Sequence, residues 1–329
     1  MYLRAVVVAV LIYFVFSETN VFSSAKKIKK FHRNYPSHSA SNNISYKINL
    51  NYLGNSIYGF PTENSGARVA QWNKNLGVNP EELGDYAEGD ILFSTPTTKS
   101  ALAPEYYRWP GGRVPYVITG YFTSEEYGKI LSAINDFHKY TCVRFVPYNG
   151  EEAYIRITSG WSGCFSTVGF GGFSYDVNLQ PPYCLQMKGT ILHELMHALG
   201  FIHEHTRYDR DDYVYILWNN IQSDAQQYFK KYAREDVNTF GVEYDFESVM
   251  HYSRNAFSFN RGQTIIPKYT TDVNIGMREN LSQGDIKKIN KMYQCIVAPN
   301  TAQDSTPVHS IKHKNRKYSP RIIYWGNSN

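Results

Sequence analysis

Residues 189–205 read GTILHELMHALGFIHEH. The pattern predicts a helix over 190–199, with Gly200 standing where a helix usually stops. On a helix, positions i and i+4 share a face, so His193 and His197 aim both imidazoles at one point about a turn apart. A left-handed Gly200 would end the helix and turn the chain back, letting His203 approach from another direction as a third ligand. Three nitrogens leave one coordination position open. That distinguishes a catalytic zinc from a structural one, because the open position holds a water whose pKa the metal lowers to about 7. Glu194 directly follows the first ligand, where its carboxylate reaches that water rather than the metal, so it is the natural general base for attack on a peptide carbonyl. Any one of these histidines alone would be an ordinary core residue. Three histidines, one Glu and one Gly at HExxHxxGxxH spacing are not, and they imply one zinc per chain.

The surroundings fit a packed enzyme domain. Of 329 residues, 42% are hydrophobic and 16% aromatic, which excludes a disordered or fibrous chain. The length allows about two folded units, or one large domain with appendages. The net charge is +5, with the cations spread along the chain rather than gathered in a stripe, so nucleic acid is not an expected partner.

Upstream, Arg4 precedes an uncharged run from Ala5 to Phe16 and the small Ser17, which reads as a secretory signal peptide over 1–17. The run falls short of the roughly 20 residues that span a bilayer. The mature chain is expected outside the cell with no membrane span. Four cysteines, Cys142, Cys164, Cys184 and Cys295, fit that oxidising route as two disulfides, with three pairings open. Asn43 and Asn280 begin candidate glycosylation triplets. Residues 18–99 are Ser/Asn-rich, with a basic cluster from Lys26 to Arg33, and predict a flexible leader; 298–329 predict a basic, disordered tail.

Within the domain, 114–119 reads as a strand. Thr123 and Glu126 form a capping box ahead of a helix whose buried face carries Tyr127, Ile130, Leu131, Ile134 and Phe137. Further strands are predicted over 142–147 and 153–158, with a weaker helix over 225–233. A last helix starts at Ser282, capped with Asp285, and runs through Ile286, Ile289 and Tyr293 to Cys295. GFGG at 169–172 has no helix after it and is not a phosphate loop.

HELMHALGFIHE resembles the metzincin zinc peptidases, and Glu204 followed by HTRYDRD (205–211) is similar to the astacins in particular. SVMHY, 248–252, resembles the astacin Met-turn. The resemblance runs from Trp109 to Cys295 and takes in TCVRFVPY, the segment between Cys164 and Cys184, and LSQGDIKKINKMYQC. It implies a two-lobed α+β catalytic domain over 100–297 with zinc in the cleft between the lobes. His193, His197 and His203 would bind the metal and Glu194 would act as base. Tyr252 would be a ligand that swings away and donates a hydrogen bond to the oxyanion, a role a phenol in a dry site can fill. Met250 would form a packing floor, and the disulfides would be Cys142–Cys295 and Cys164–Cys184.

The resemblance also makes 18–99 a pro-segment. YAEGDILFS, 86–94, resembles the family's aspartate switch, in which Asp90, after the permissive Gly89, coordinates zinc and displaces the water. Counting back from Trp109 sets activation at Lys99–Ser100, a cut that suits a trypsin-like protease. The new amino terminus would then be buried and bridged through water to Glu204, a charge that otherwise lacks a partner. The sequence departs from the pattern at Phe170, where the family has Arg, and in the GGFSYDVNL that follows, which bears on substrate preference. Lys268 and Arg278 resemble positions near the pocket for the residue after the cut, which implies an acidic residue there. The whole reads as a secreted, latent zinc endopeptidase acting on protein or peptide substrates. Its alternative is a catalytically silent zinc-binding module, which Glu194 and Tyr252 oppose.

Overall fold

The computed structural model describes residues 60–92, 108–269 and 274–296. The signal peptide, Asn43, the Lys99–Ser100 cut and the basic tail lie outside them. The upper lobe is a five-stranded sheet of β1 (Arg113–Ile118), β2 (Arg144–Pro147), β3 (Ile155–Thr158), β4 (Cys164–Phe165) and β5 (Tyr175–Leu179), in the order β2-β1-β3-β5-β4. All neighbours are parallel except β4, which runs antiparallel to β5 and forms the edge. Strands β1 and β3 carry the β-branched residues that suit a pleated surface covered by helices.

The long helix α2 (Ser124–Tyr140) starts as its sequence dictates. Thr123 accepts from the Glu126 N–H and the Glu126 carboxylate reaches back to Thr123. Its buried face is Ile130, Ala133, Ile134 and Phe137. Tyr127 and Leu131, expected in that face, stay exposed at 45% and 38%. The small Ala133 is the inward residue instead, so the covered stripe is narrower than the apolar one. The zinc-motif helix α3 (Lys188–Ala198) is buried along its whole length from Gly189 onward, and with α2 it fills one continuous core against the sheet.

The lower part has little regular structure: a two-stranded ribbon of β6 (Val214–Ile216) and β7 (Ile265–Pro267), short 3-10 turns, and the last helix α4 (Gln283–Met292). The helix predicted over 225–233 is only a 3-10 turn at Gln226–Phe229. Tyr228 and Phe229 are both buried, and Phe229 packs on Tyr252 and Phe257 rather than presenting one helical face. Ser282 and Asp285 form the expected capping box, and α4 ends at Met292, short of Cys295. Cys142 is bonded to Cys295 and Cys164 to Cys184. The first bond fastens the end of α2 to the segment after α4, and the second braces the edge strand against the approach to α3.

The stretch 60–92 corrects the expectation of a flexible leader across 18–99. It forms a short helix, α1 (Glu63–Val69), capped by Thr62, and then a chain whose Glu81, Glu82, Tyr86, Glu88, Asp90 and Ile91 are all buried. Polar composition suggested solvation, but these acids have partners in the domain.

Candidate metal centre

The end of α3 turns as its glycine requires. Gly200 takes φ +106°, its N–H bonds the His197 carbonyl at 2.8 Å, and the Phe201 N–H bonds the Met196 carbonyl at 3.1 Å. This is a Schellman motif, and only a residue without Cβ adopts that φ cheaply. The turn delivers His203 to the two helix histidines. At the other end, the Gly189 N–H donates to the Arg278 carbonyl at 2.9 Å, and a Cβ there would lie 2.0 Å from the Arg278 carbonyl carbon. A side chain at 189 would therefore force α3 away from the loop that carries Arg278.

His193, His197 and His203 are fully buried, and their Nε2 atoms converge, that of His193 lying 3.1 Å from that of His197. Each ring has an oxygen at its Nδ1: the Val249 carbonyl at 2.6 Å, the Phe201 carbonyl at 2.7 Å and the Glu88 carboxylate at 2.7 Å. Those acceptors hold the proton on Nδ1, so the Nε2 lone pairs face one another. Asp90 completes the group, with carboxylate oxygens 3.0, 3.5 and 3.2 Å from the Nε2 atoms of His193, His197 and His203. The four ligand atoms lie within 4.8 Å of one another. Converging lone pairs closed by a buried carboxylate repel one another unless a cation sits between them, and three imidazoles with one carboxylate make a zinc donor set. Burial opposes a positive charge here, yet Asp90 and Glu88 raise the pKa of His203 to about 9. Burial, then Arg278, push that of His193 well down.

Glu194 is fully buried beside this group, and neither of its carboxylate oxygens has a hydrogen-bond partner among the described residues. Burial, then Asp90 and Glu81, push its pKa well up. The Tyr252 ring lies 4.6 Å from His203 and its hydroxyl donates to the Glu88 carbonyl. His205 stacks on Tyr252 at 3.8 Å. Met250 is buried, and its carbonyl accepts from the Glu204 N–H at 2.9 Å. The chain belongs to the astacin family. The model of the Astacin peptidase family matches residues 101–294. The astacin chain described here is 36% identical over 234 residues to zinc metalloproteinase nas-4 of Caenorhabditis elegans, covering 67% of this chain and 73% of that one. It is 39% identical over 227 residues to the low choriolytic enzyme of Oryzias latipes, covering 66% of this chain and 81% of that one. Among solved structures it is similar to high choriolytic enzyme 1, a hatching-enzyme zinc protease of the same fish, with TM-score 0.52, 38% identity and coverage of 58% and 94%. Some relatives are longer than the shared region: the chain spans 54% and 37% of two further nematode zinc metalloproteinases. As an astacin, the chain is a zinc metalloendopeptidase with the two-lobed α+β fold.

Glu204 already has cationic partners: Lys288 Nζ donates to it, and Arg207 lies at 2.8 Å. Burial raises its pKa, but Lys288 and Arg207 outweigh that and leave it lowered, so it does not wait for a counter-charge. Lys268 and Arg278 part company. Arg278 is fully buried against Glu81 at 2.5 Å, whereas the Lys268 ammonium lies 4.7 Å over the Tyr215 ring on the β6–β7 ribbon. Phe170 packs edge-on to Trp109 at 5.2 Å. Asn280 is exposed.

Of the acids that reach the site from 79–90, the sequence reading named Asp90 and missed Glu81, Glu82 and Glu88. Glu81 also lies 3.3 Å from the Thr190 hydroxyl, and Glu82 takes the Ser253 N–H at 2.6 Å and its hydroxyl at 2.5 Å. Five acids in ten residues, at 81, 82, 85, 88 and 90, were the available signal. Tyr232, which donates to Glu88 at 2.5 Å, carried none.

Proposed function

We propose that this zinc endopeptidase is secreted as a latent precursor, that His193, His197 and His203 hold its zinc, and that 60–92 is the covering pro-segment. The observation that carries the reading is Asp90, fully buried among the three Nε2 atoms on a chain segment laid across the cleft. When bound, zinc polarises the scissile carbonyl and acidifies water. Glu194 takes the proton from the attacking water and passes it to the leaving amine. The Tyr252 hydroxyl, released from the Glu88 carbonyl, donates to the developing oxyanion. With the pro-segment in place neither acts: Asp90 fills the substrate side of the histidines and Tyr252 is engaged. A cut at Lys99–Ser100 by a trypsin-like protease removes the cover.

The pro-segment also indicates how substrates lie. Ile91 bridges to Ser166, the Leu92 N–H donates to the Ser166 carbonyl at 3.0 Å, and the Ser166 N–H donates to the Asp90 carbonyl at 2.9 Å. An extended chain thus adds to the sheet edge beyond β4, the mode in which extended peptides bind. Glu81, paired with buried Arg278, supports an acidic residue after the scissile bond. Extracellular protein chains able to extend are the substrate class.

The test secretes the full chain, activates it with trypsin, sequences the new amino terminus and assays casein cleavage with and without a zinc chelator beside Glu194→Ala. Expected are Ser100 as first residue and activity lost to chelator and to the mutant. A correctly processed, zinc-loaded but inert protein would establish the silent binding module instead.

A further inference from the structure

The three histidines are not held from behind in the same way. His193 and His197 rest their Nδ1 atoms on backbone carbonyls of the domain itself, Val249 and Phe201. The Nδ1 of His203 instead rests on a side chain of the pro-segment, Glu88, whose Oε2 lies at 2.7 Å. The other oxygen of Glu88 accepts from Tyr232 at 2.5 Å, which fixes the carboxylate between imidazole and phenol. Glu88 is 2% exposed and its backbone sits at φ +51°, a left-handed conformation that costs a non-glycine residue about 1 kcal/mol or more. That conformation turns the Glu88 side chain to the back of His203, while Asp90, two residues on, faces its front. A carboxylate bonded to the outer nitrogen of a ligating histidine fixes its tautomer and ring angle and makes it a stronger donor.

From this geometry we infer that Glu88 is a positioning residue for the metal: it completes the outer support of His203 only while the chain is latent. Activation removes Asp90 from the front of His203 and Glu88 from its back, so the mature enzyme holds zinc less firmly than its precursor. The inference rests on the ligand and pro-segment reading above. It adds a role for a residue that neither touches the metal nor takes part in the reaction.

The test is the rate at which the zinc-loaded, uncut full chain gives up its metal to an excess of the chromogenic chelator 4-(2-pyridylazo)resorcinol. Glu88→Ala is expected to release zinc about ten- to a hundred-fold faster than the parent. Glu88→Gln should fall between them, because its amide oxygen still accepts from Nδ1 without the charge. Melting of zinc-loaded and zinc-stripped forms separates this role from mere packing: the loaded form of either variant should lose more melting temperature than the stripped form. Release at the parent rate from Glu88→Gln and Glu88→Ala, or equal losses in the two forms, would overturn the inference. If Glu88→Ala does not fold, the glutamine variant decides alone. A parent chain that binds no zinc would refute the ligand assignment instead, and that outcome is read separately from the metal content before any chelator is added.

Discussion

The domain and the segment that covers it are held by different forces. From 108 to 296 the chain encloses an apolar core between sheet and helices, with Phe137, Ile155, Ile157, Leu192 and Leu195 fully buried, and a second apolar cluster around Phe229 and Tyr252. From 79 to 90 the chain adds a series of buried acids to its apolar contacts: Glu81 on Arg278, Glu82 on Ser253, Glu88 on His203 and Tyr232, and Asp90 on the three histidines. Apolar burial is non-directional and survives the loss of any one partner, whereas buried ion pairs stabilise only while both partners remain. The cover also has apolar anchors, with Val69 in the sheet-and-helix core and Tyr86 and Leu92 packed on Phe165, so its acids add a directional set of contacts to an apolar one.

The contrast can be sharpened by measuring stability before and after activation. Phe137→Ala opens a cavity in the shared core and should cost about 3–5 kcal/mol in chemical denaturation of both the full chain and the activated domain. Glu81→Ala leaves Arg278 buried without its carboxylate, and should cost about 3 kcal/mol in the full chain alone. The activated domain made from that variant should match the parent, and a loss there would mean Glu81 acts elsewhere. Thr123→Ala removes only a helix cap and should cost about 1 kcal/mol in both forms. Equal sensitivity of the two forms to Glu81→Ala and to Phe137→Ala would erase the distinction.

The same contrast governs what the sequence revealed. Strand β1, the cap at Thr123 and the histidines of α3 follow from short-range rules, period and spacing, and all stand where those rules put them. The acids of 79–90 do not, because their partners lie far along the chain: Glu81 and Arg278 are 197 residues apart, and Glu88 and His203 are 115. No local window connects them, so polar composition was read as solvation. The same blindness hid the partners of Glu204, which was legible as a buried charge but not as one already balanced by Lys288 and Arg207. At 225–233 the failure was of another kind. The apolar residues were real, but they pack in several directions around Tyr252, and a 3-10 turn serves that packing better than a helix. The resemblance supplied Asp90, Tyr252 and both disulfide pairings, which spacing alone left open.

The most direct test of the central claim is casein cleavage by the uncut full chain carrying Asp90→Ala, measured beside the uncut parent. If Asp90 keeps the zinc site closed, the variant cleaves casein before any activating cut, in a chelator-sensitive way, while the parent stays silent. A folded, zinc-loaded Asp90→Ala chain as silent as the parent would contradict the account.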